Sequence, residues 1–173
     1  CSIAVIGASR DATSVGHGIL KSLLTGCVFD TGECKGFGGK VFAINPNAQE
    51  ILGVKCYPSI SAVPGDVDVA VVVVPSRFVL QVIDECGKKG VKVVVVISAG
   101  FAETGAEGKA LQEKMVEVTR KAGIRLLGPN CLGFLVPPLF INASFAPSMP
   151  PRGDVAFLTQ SGALADGTID GAL

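Results

Sequence analysis

Five short polar or glycine-bearing strings could do chemistry, and each directly follows an apolar run. They are Gly7-Ala8-Ser9-Arg10, Asn45-Pro46-Asn47, Val74-Pro75-Ser76, Ser98-Ala99-Gly100 and Asn130-Cys131-Leu132-Gly133. The first continues to Gly16-His17-Gly18 and opens onto a helical pattern. Glycines allow a phosphate to approach the backbone, and a helix N-terminus adds roughly half a positive charge. That chemistry is anion binding, of the kind a nucleotide needs. The spacing is not G-x-G-x-x-G, so a tight turn without a ligand is the competing explanation. Arg10, Lys35, Lys40 and Arg77 are available as counter-charges, or as ordinary solvated cations.

The second string argues on ligand type. A domain that binds NAD usually ends its second strand in Asp or Glu, which holds the ribose hydroxyls. Here Asn45-Pro46-Asn47 stands in that place. NAD is disfavoured, and a nucleotide carrying an extra phosphate fits better.

Covalent and metal chemistry find less support. Ser161 lacks the G-x-S-x-G setting of a nucleophilic serine and has no histidine partner. Cys131 has no evident base, and core packing accounts for it. The six cysteines, Cys1, Cys27, Cys34, Cys56, Cys86 and Cys131, contain no C-x-x-C pair and read as reduced cytosolic thiols. His17, the single histidine, reads as an exposed loop residue, and no metal site is expected.

The elements that must position these strings alternate. Ser2 to Ala8, Lys40 to Ile44, Val67 to Val74, Val91 to Ile97 and Ile124 to Leu127 have the continuous β-branched character of parallel strands covered on both faces. Between them, Ile19, Leu20, Leu23 and Leu24 show helical spacing, as do Phe78, Val79, Val82, Ile83 and Cys86. A third helix carries Leu111, Met115, Val118 and Ala122, with Thr104 and Glu107 as its capping box. Cys27 to Gly39 is glycine-rich and polar, a loop. The pattern predicts an α/β fold, a Rossmann-like doubly wound parallel sheet with all five strings on one edge.

From Pro137 to Arg152 five prolines interrupt any periodicity, so 137–152 reads as a linker. Asp154 to Leu158 restarts a strand, and Gln160-Ser161-Gly162-Ala163 opens a helix. The expected domains are therefore 1–136, and 153–173 as the start of a second α/β unit. The absence of an initial Met and the stop within a helix suggest a fragment or processed chain.

Fifteen basic and fifteen acidic residues cancel, which gives no electrostatic reason to bind nucleic acid. Val67 to Pro75, the longest apolar run, is too short to span a bilayer, and no signal peptide is evident. The expected location is cytoplasmic.

Taken in order, GASR, INPN, VVVP, ISAGFAETG, GPNCLG and FLTQSGAL resemble the nucleoside-diphosphate-forming acyl-CoA synthetases. These include the ADP-forming acetyl-CoA synthetases and the α subunit of succinyl-CoA synthetase. The resemblance runs over essentially the whole chain and implies coenzyme A lying across the strand ends. Besides Gly7, it implies phosphate and adenosine contacts at Ser9, Arg10, Ser14, Val15, Asn45 and Pro46. Val74, Pro75, Ser98, Ala99 and Gly100 would line the middle, with Asn130 and Cys131 at the pantetheine end.

The resemblance further implies a flavodoxin-like second domain carrying a phosphohistidine beyond the equivalent of Leu173. Ser161, Gly162 and Ala163 would start a helix aimed at that phosphate. ADP or ATP with Mg would sit on a nucleotide-grasp domain or β subunit, in an oligomer, and the chain alone would not turn over. Two alternatives stay open: a non-catalytic coenzyme A-sensing module, as in a protein acetyltransferase, and an NAD(H)-binding redox sensor.

Overall fold

Valine, isoleucine and alanine dominate strands that have no solvent-facing side, and the computed structural model shows why. It describes residues 1–26, 35–146 and 148–172. Strand β1 (Ser2–Ile6) is buried at every position. It is flanked by β2 (Lys40–Ile44) and β5 (Val69–Val72), both parallel to it. Beyond them lie β4 (Val54–Tyr57) on one side, then β6 (Val93–Val96) and β7 (Arg125–Leu127) on the other. A two-residue strand β3 (Glu50–Ile51) closes the far edge antiparallel to β4, giving the order β3-β4-β2-β1-β5-β6-β7.

The sheet is wound in both directions from β1, and its faces follow the two-residue alternation of each strand. Ile3 and Val5 point toward α1 (Val15–Thr25), where Ile19, Leu20 and Leu23 are fully buried. Ala4 and Ile6 join the opposite layer with α2 (Ser76–Lys89) and α3 (Ala106–Lys121), which contribute Val79, Ile83, Cys86 and Met115. The doubly wound, Rossmann-like expectation is met.

Several local expectations are corrected. Part of the proposed linker is structured: β8 (Gly133–Val136) and β9 (Ile141–Ser144) form an antiparallel hairpin around a 3₁₀ turn at Pro137–Leu139. All four β9 residues are buried, and Ile141 and Ala143 join the α1 side of the core. Pro137 and Pro138 occupy the turn, leaving the strands free to pair. The capping box does not form. Thr104 Oγ donates to the Phe101 carbonyl at 2.8 Å, and α3 begins after Gly105, which takes the N-cap position.

The strand expected at 154–158 is also absent. Val155 and Leu158 are 90% and 91% exposed, so nothing among the described residues covers them. Helix α4 (Gly162–Gly171) follows, with Ser161 as its N-cap and no buried residue. The loop expected over Cys27 to Gly39 lies mostly outside the described residues, as do Cys27, Cys34 and Leu173. No described helix is long and apolar enough to cross a membrane.

At the edge opposite the five strings, Asp68 pins three strands. Its carboxylate accepts from Ser2 N at 2.9 Å and from Ser2 Oγ at 3.2 Å, with Lys92 Nζ 3.6 Å away. Those Ser2 hydrogen bonds, backbone first, hold its carboxyl below the usual range, and Lys92 adds to the effect. A depressed folded-state pKa contributes stability above the unfolded value of about 3.9 that is lost as pH falls through the folded one. Asp68→Asn should therefore lower the thermal midpoint at pH 7, with the difference from the parent chain shrinking toward pH 3. Paired thermal melts at the two pH values check this.

Candidate functional site at the strand ends

Parallel register brings the five strings to one edge. Ile6 aligns with Ile44 and Val72, Val72 with Val96, and Val95 with Leu127, so the residues after each strand stand side by side. Hydrogen bonds then join the loops. Asn45 Nδ2 donates to the Ala8 carbonyl at 2.7 Å, while Ser98 Oγ donates to the Val74 carbonyl at 2.5 Å. Asn130 N donates to the Ser98 carbonyl at 3.0 Å, joining the loops after β5, β6 and β7.

The winding direction reverses between β1 and β5, and that is where an open α/β sheet leaves a crevice. Gly7 lies at this point with φ +97°, and a Cβ on it would stand 2.9 Å from the Val73 carbonyl oxygen. A Cβ on Gly16 would come within 2.1 Å of the Gly7 carbonyl. Two glycines thus let α1 drive its N-terminus against the end of β1. Its first turn contains no acidic residue, so its partial positive charge is not neutralised there.

The 9–14 loop above that helix is held by its own side chains. Ser14 is the N-cap of α1, accepting from His17 N at 3.2 Å and donating to the Asp11 carbonyl at 2.8 Å. Asp11 Oδ1 accepts from Thr13 Oγ at 2.7 Å and from Thr13 N at 2.9 Å, and these bonds hold its carboxyl below the usual carboxylate range. Arg10 is exposed and reaches the Asn47 carbonyl at 3.4 Å, bridging the loops after β1 and β2.

The remaining expected residues fall as follows. Val74 and Pro75 lead into α2, Pro75 at its N-cap. Gly100, with φ +101°, donates its amide to Glu103 Oε1 at 2.6 Å, and a Cβ there would lie 2.7 Å from Ser76 Oγ. Ala99 lies between Ser98 and Gly100 on the same turn, Val15 begins α1, and Pro46 follows Asn45. Asn130 has φ +51°. Cys131 Sγ is 3.4 Å from the Val96 carbonyl, and burial raises its thiol pKa. That is packing, and it leaves the thiol poorly suited to attack.

Ser161 Oγ accepts from Leu164 N at 3.2 Å, so Ser161, Gly162 and Ala163 do form a helix start. Their hydrogen bonds are local, and all three residues are exposed. His17 corrects the sequence reading. It is a half-buried residue in the first turn of α1, with Nδ1 2.9 Å from the Ser9 carbonyl. Glu103 was likewise not foreseen. Its position three residues after Gly100 was the available signal, masked by the apparent capping box.

A doubly wound sheet with a helix N-terminus docked through glycines at the switch point defines an α/β domain of the Rossmann class. Within that class the chain belongs to the CoA binding domain family, whose model matches residues 1–137.

The chain is similar to the α subunit of the ADP-forming acetate–CoA ligase II of Pyrococcus furiosus. They are 46% identical over 167 residues, covering 96% of this chain and 34% of that relative. The ADP-forming acetate–CoA ligase of Methanocaldococcus jannaschii is 44% identical over 169 residues, covering 98% of this chain and 22% of the relative. Among solved structures, it is similar to the dinucleotide-forming acetyl-coenzyme A synthetase 1 of Candidatus Korarchaeum cryptofilum in complex with phosphate and ADP. The TM-score is 0.87 at 48% identity, over 98% of this chain and 34% of that one. The chain thus spans about a third or less of the length of these relatives.

Proposed function

We propose that the strand-end edge binds coenzyme A, and that this chain is the coenzyme A-binding part of an ADP-forming acid–CoA ligase. The reaction would interconvert acid, coenzyme A and nucleoside triphosphate with acyl-CoA, nucleoside diphosphate and phosphate. The observation that carries the reading is two hydrogen-bonded sets of loops, Asn45 with Ala8 and Val74 with Ser98 and Asn130, on either side of the β1–β5 crevice where α1 begins.

That edge suits a nucleotide with an additional phosphate. Gly7, Ser9, Ser14 and Val15 would receive the diphosphate at the start of α1, where backbone amides and helix dipole favour an anion. Asn45 is engaged at both ends of its amide, Nδ2 on Ala8 and Oδ1 on Asn47 N. It offers no carboxylate for a ribose diol, which counts against NAD. Arg10, between the loops after β1 and β2, would hold the 3′-phosphate. Pro46 and the turn Val74-Pro75 would flank the nucleotide, and Ser98, Ala99, Gly100, Asn130 and Cys131 would guide pantetheine toward β7.

Beyond this edge, the reading assigns ADP or ATP, with Mg²⁺, to a nucleotide-grasp domain or β subunit in a cytoplasmic oligomer. Phosphate transfer would use a histidine other than His17, with the helix start at Ser161–Ala163 stabilising the phosphate. The first domain would run through β9, with 153–173 beginning the second.

Arg10→Ala tests the assignment. A charge-assisted hydrogen bond is worth about 1.5–3 kcal/mol, so coenzyme A binding should weaken about ten- to a hundredfold. Dephospho-CoA, which lacks the 3′-phosphate, should bind the variant and the parent chain alike. Equal losses for both ligands in calorimetric titration would remove Arg10 from the 3′-phosphate.

A further inference from the structure

His17 is the chain's single histidine, and the binding edge described above gives it no part. Its ring nevertheless makes a specific contact, with Nδ1 2.9 Å from the Ser9 carbonyl oxygen. A carbonyl only accepts, so Nδ1 carries a proton, and in the neutral ring Nε2 is the acceptor. The backbone N–H of the same residue donates to Ser14 Oγ at 3.2 Å. One residue therefore grips both ends of the 9–14 loop. Inside the loop, Asp11 N donates to Ser9 Oγ at 3.1 Å and Ser14 Oγ donates to the Asp11 carbonyl.

The consequence is directional. The peptide joining Ser9 to Arg10 is trans, so its N–H points opposite to its C=O. Fixing the Ser9 carbonyl on the imidazole therefore turns the Arg10 amide to the other side and sets where the Arg10 side chain departs. Without the ring, the Ser9 carbonyl would lose its fixed partner, and the Ser9–Arg10 peptide would be free to rotate beside the start of α1. The Arg10 amide and side chain would then no longer be held in one direction.

We propose that His17 is a positioning residue of the anion-binding loop: its Nδ1–H holds the Ser9 carbonyl and so keeps residues 9–14 in the conformation that receives a nucleotide phosphate. This rests on the coenzyme A reading, and the experiment separates the two. Coenzyme A is titrated into the parent chain and into His17→Ala, His17→Asn and His17→Gln, with a thermal melt of each. An asparagine amide N–H can take the place of Nδ1–H, whereas the longer glutamine amide corresponds to Nε2.

The expected result is about tenfold weaker binding for Ala and Gln, the size of one hydrogen bond. Asn should stay within about threefold of the parent. Asn and Gln with similar melting midpoints but unequal affinities would separate positioning from packing. Ala and Gln binding as tightly as the parent, or Asn losing as much as Ala, would overturn the role given to Nδ1–H. A folded parent chain that does not bind coenzyme A at all would overturn the ligand reading, and this inference with it.

Discussion

Replacing Gly16 with valine is expected to abolish measurable coenzyme A binding and to destabilise the fold by about 3 kcal/mol or more. Overpacking a well-packed site ordinarily costs about 1–3 kcal/mol, and backbone contacts yield less than side chains do. A Cβ at Gly16 would stand 2.1 Å from the Gly7 carbonyl oxygen, with Val73 Cγ2 at 3.3 Å behind it. The first turn of α1 would have to retreat from β1, taking with it the amides proposed to receive the phosphate. Gly18 is the internal control. It lies two residues along the same helix, and a Cβ there meets nothing within 4 Å. Gly18→Ala should stabilise the chain by about 0.5–1 kcal/mol, the usual helix-interior difference, and leave binding unchanged. Urea denaturation and calorimetric titration of both variants measure the contrast.

The second large effect is expected at Phe101. This ring is fully buried in the layer between the sheet and α2 and α3, and it directly follows Gly100 in the loop after β6. Truncating a buried phenylalanine to alanine costs about 3–5 kcal/mol, combining lost transfer energy with the cavity left behind. The backbone of Phe101 packs against the start of α3, where a Cβ on Gly108 would meet its carbonyl oxygen, an approach that the alanine variant keeps. Phe101→Ala should lower the urea midpoint with an unchanged slope, the sign of lost stability within a two-state transition. It should also weaken coenzyme A binding, since the turn at Ser98–Gly100 loses its support. A folded variant with parental stability would show that the core does not depend on this ring.

These two sites mark how far the sequence alone could be read. Five parallel strands and three helices were legible because Val69–Val72 and Val93–Val96 are continuous apolar runs and the helices keep a 3.6-residue spacing. Alternation of strands and helices then sufficed to place the five strings on one edge. The β3–β4 hairpin was not legible. Its two-residue turn places Leu52 at φ +52° before Gly53 at φ +75°, and leucine is not a residue that announces a left-handed turn.

The β8–β9 hairpin hid for another reason. Its strands are four residues each, and two of the five prolines that suggested a linker, Pro137 and Pro138, belong to the turn between them. At the site, residue types identified the loops but not their roles. Gly16 and Gly18 look alike in sequence, and only the packing of α1 on β1 distinguishes them. His17 looked like an exposed loop residue because nothing local in sequence shows that its ring reaches back eight residues to Ser9. Burial at such distances is a tertiary property, and no periodicity encodes it.

The central claim is that the strand-end edge recognises coenzyme A through both its diphosphate and its 3′-phosphate. Calorimetric titration of the chain with coenzyme A, dephospho-CoA and NADH tests it most directly. The account predicts one site per chain, with coenzyme A bound more tightly than dephospho-CoA and NADH the weakest of the three. A folded chain that binds NADH more tightly than coenzyme A would contradict it.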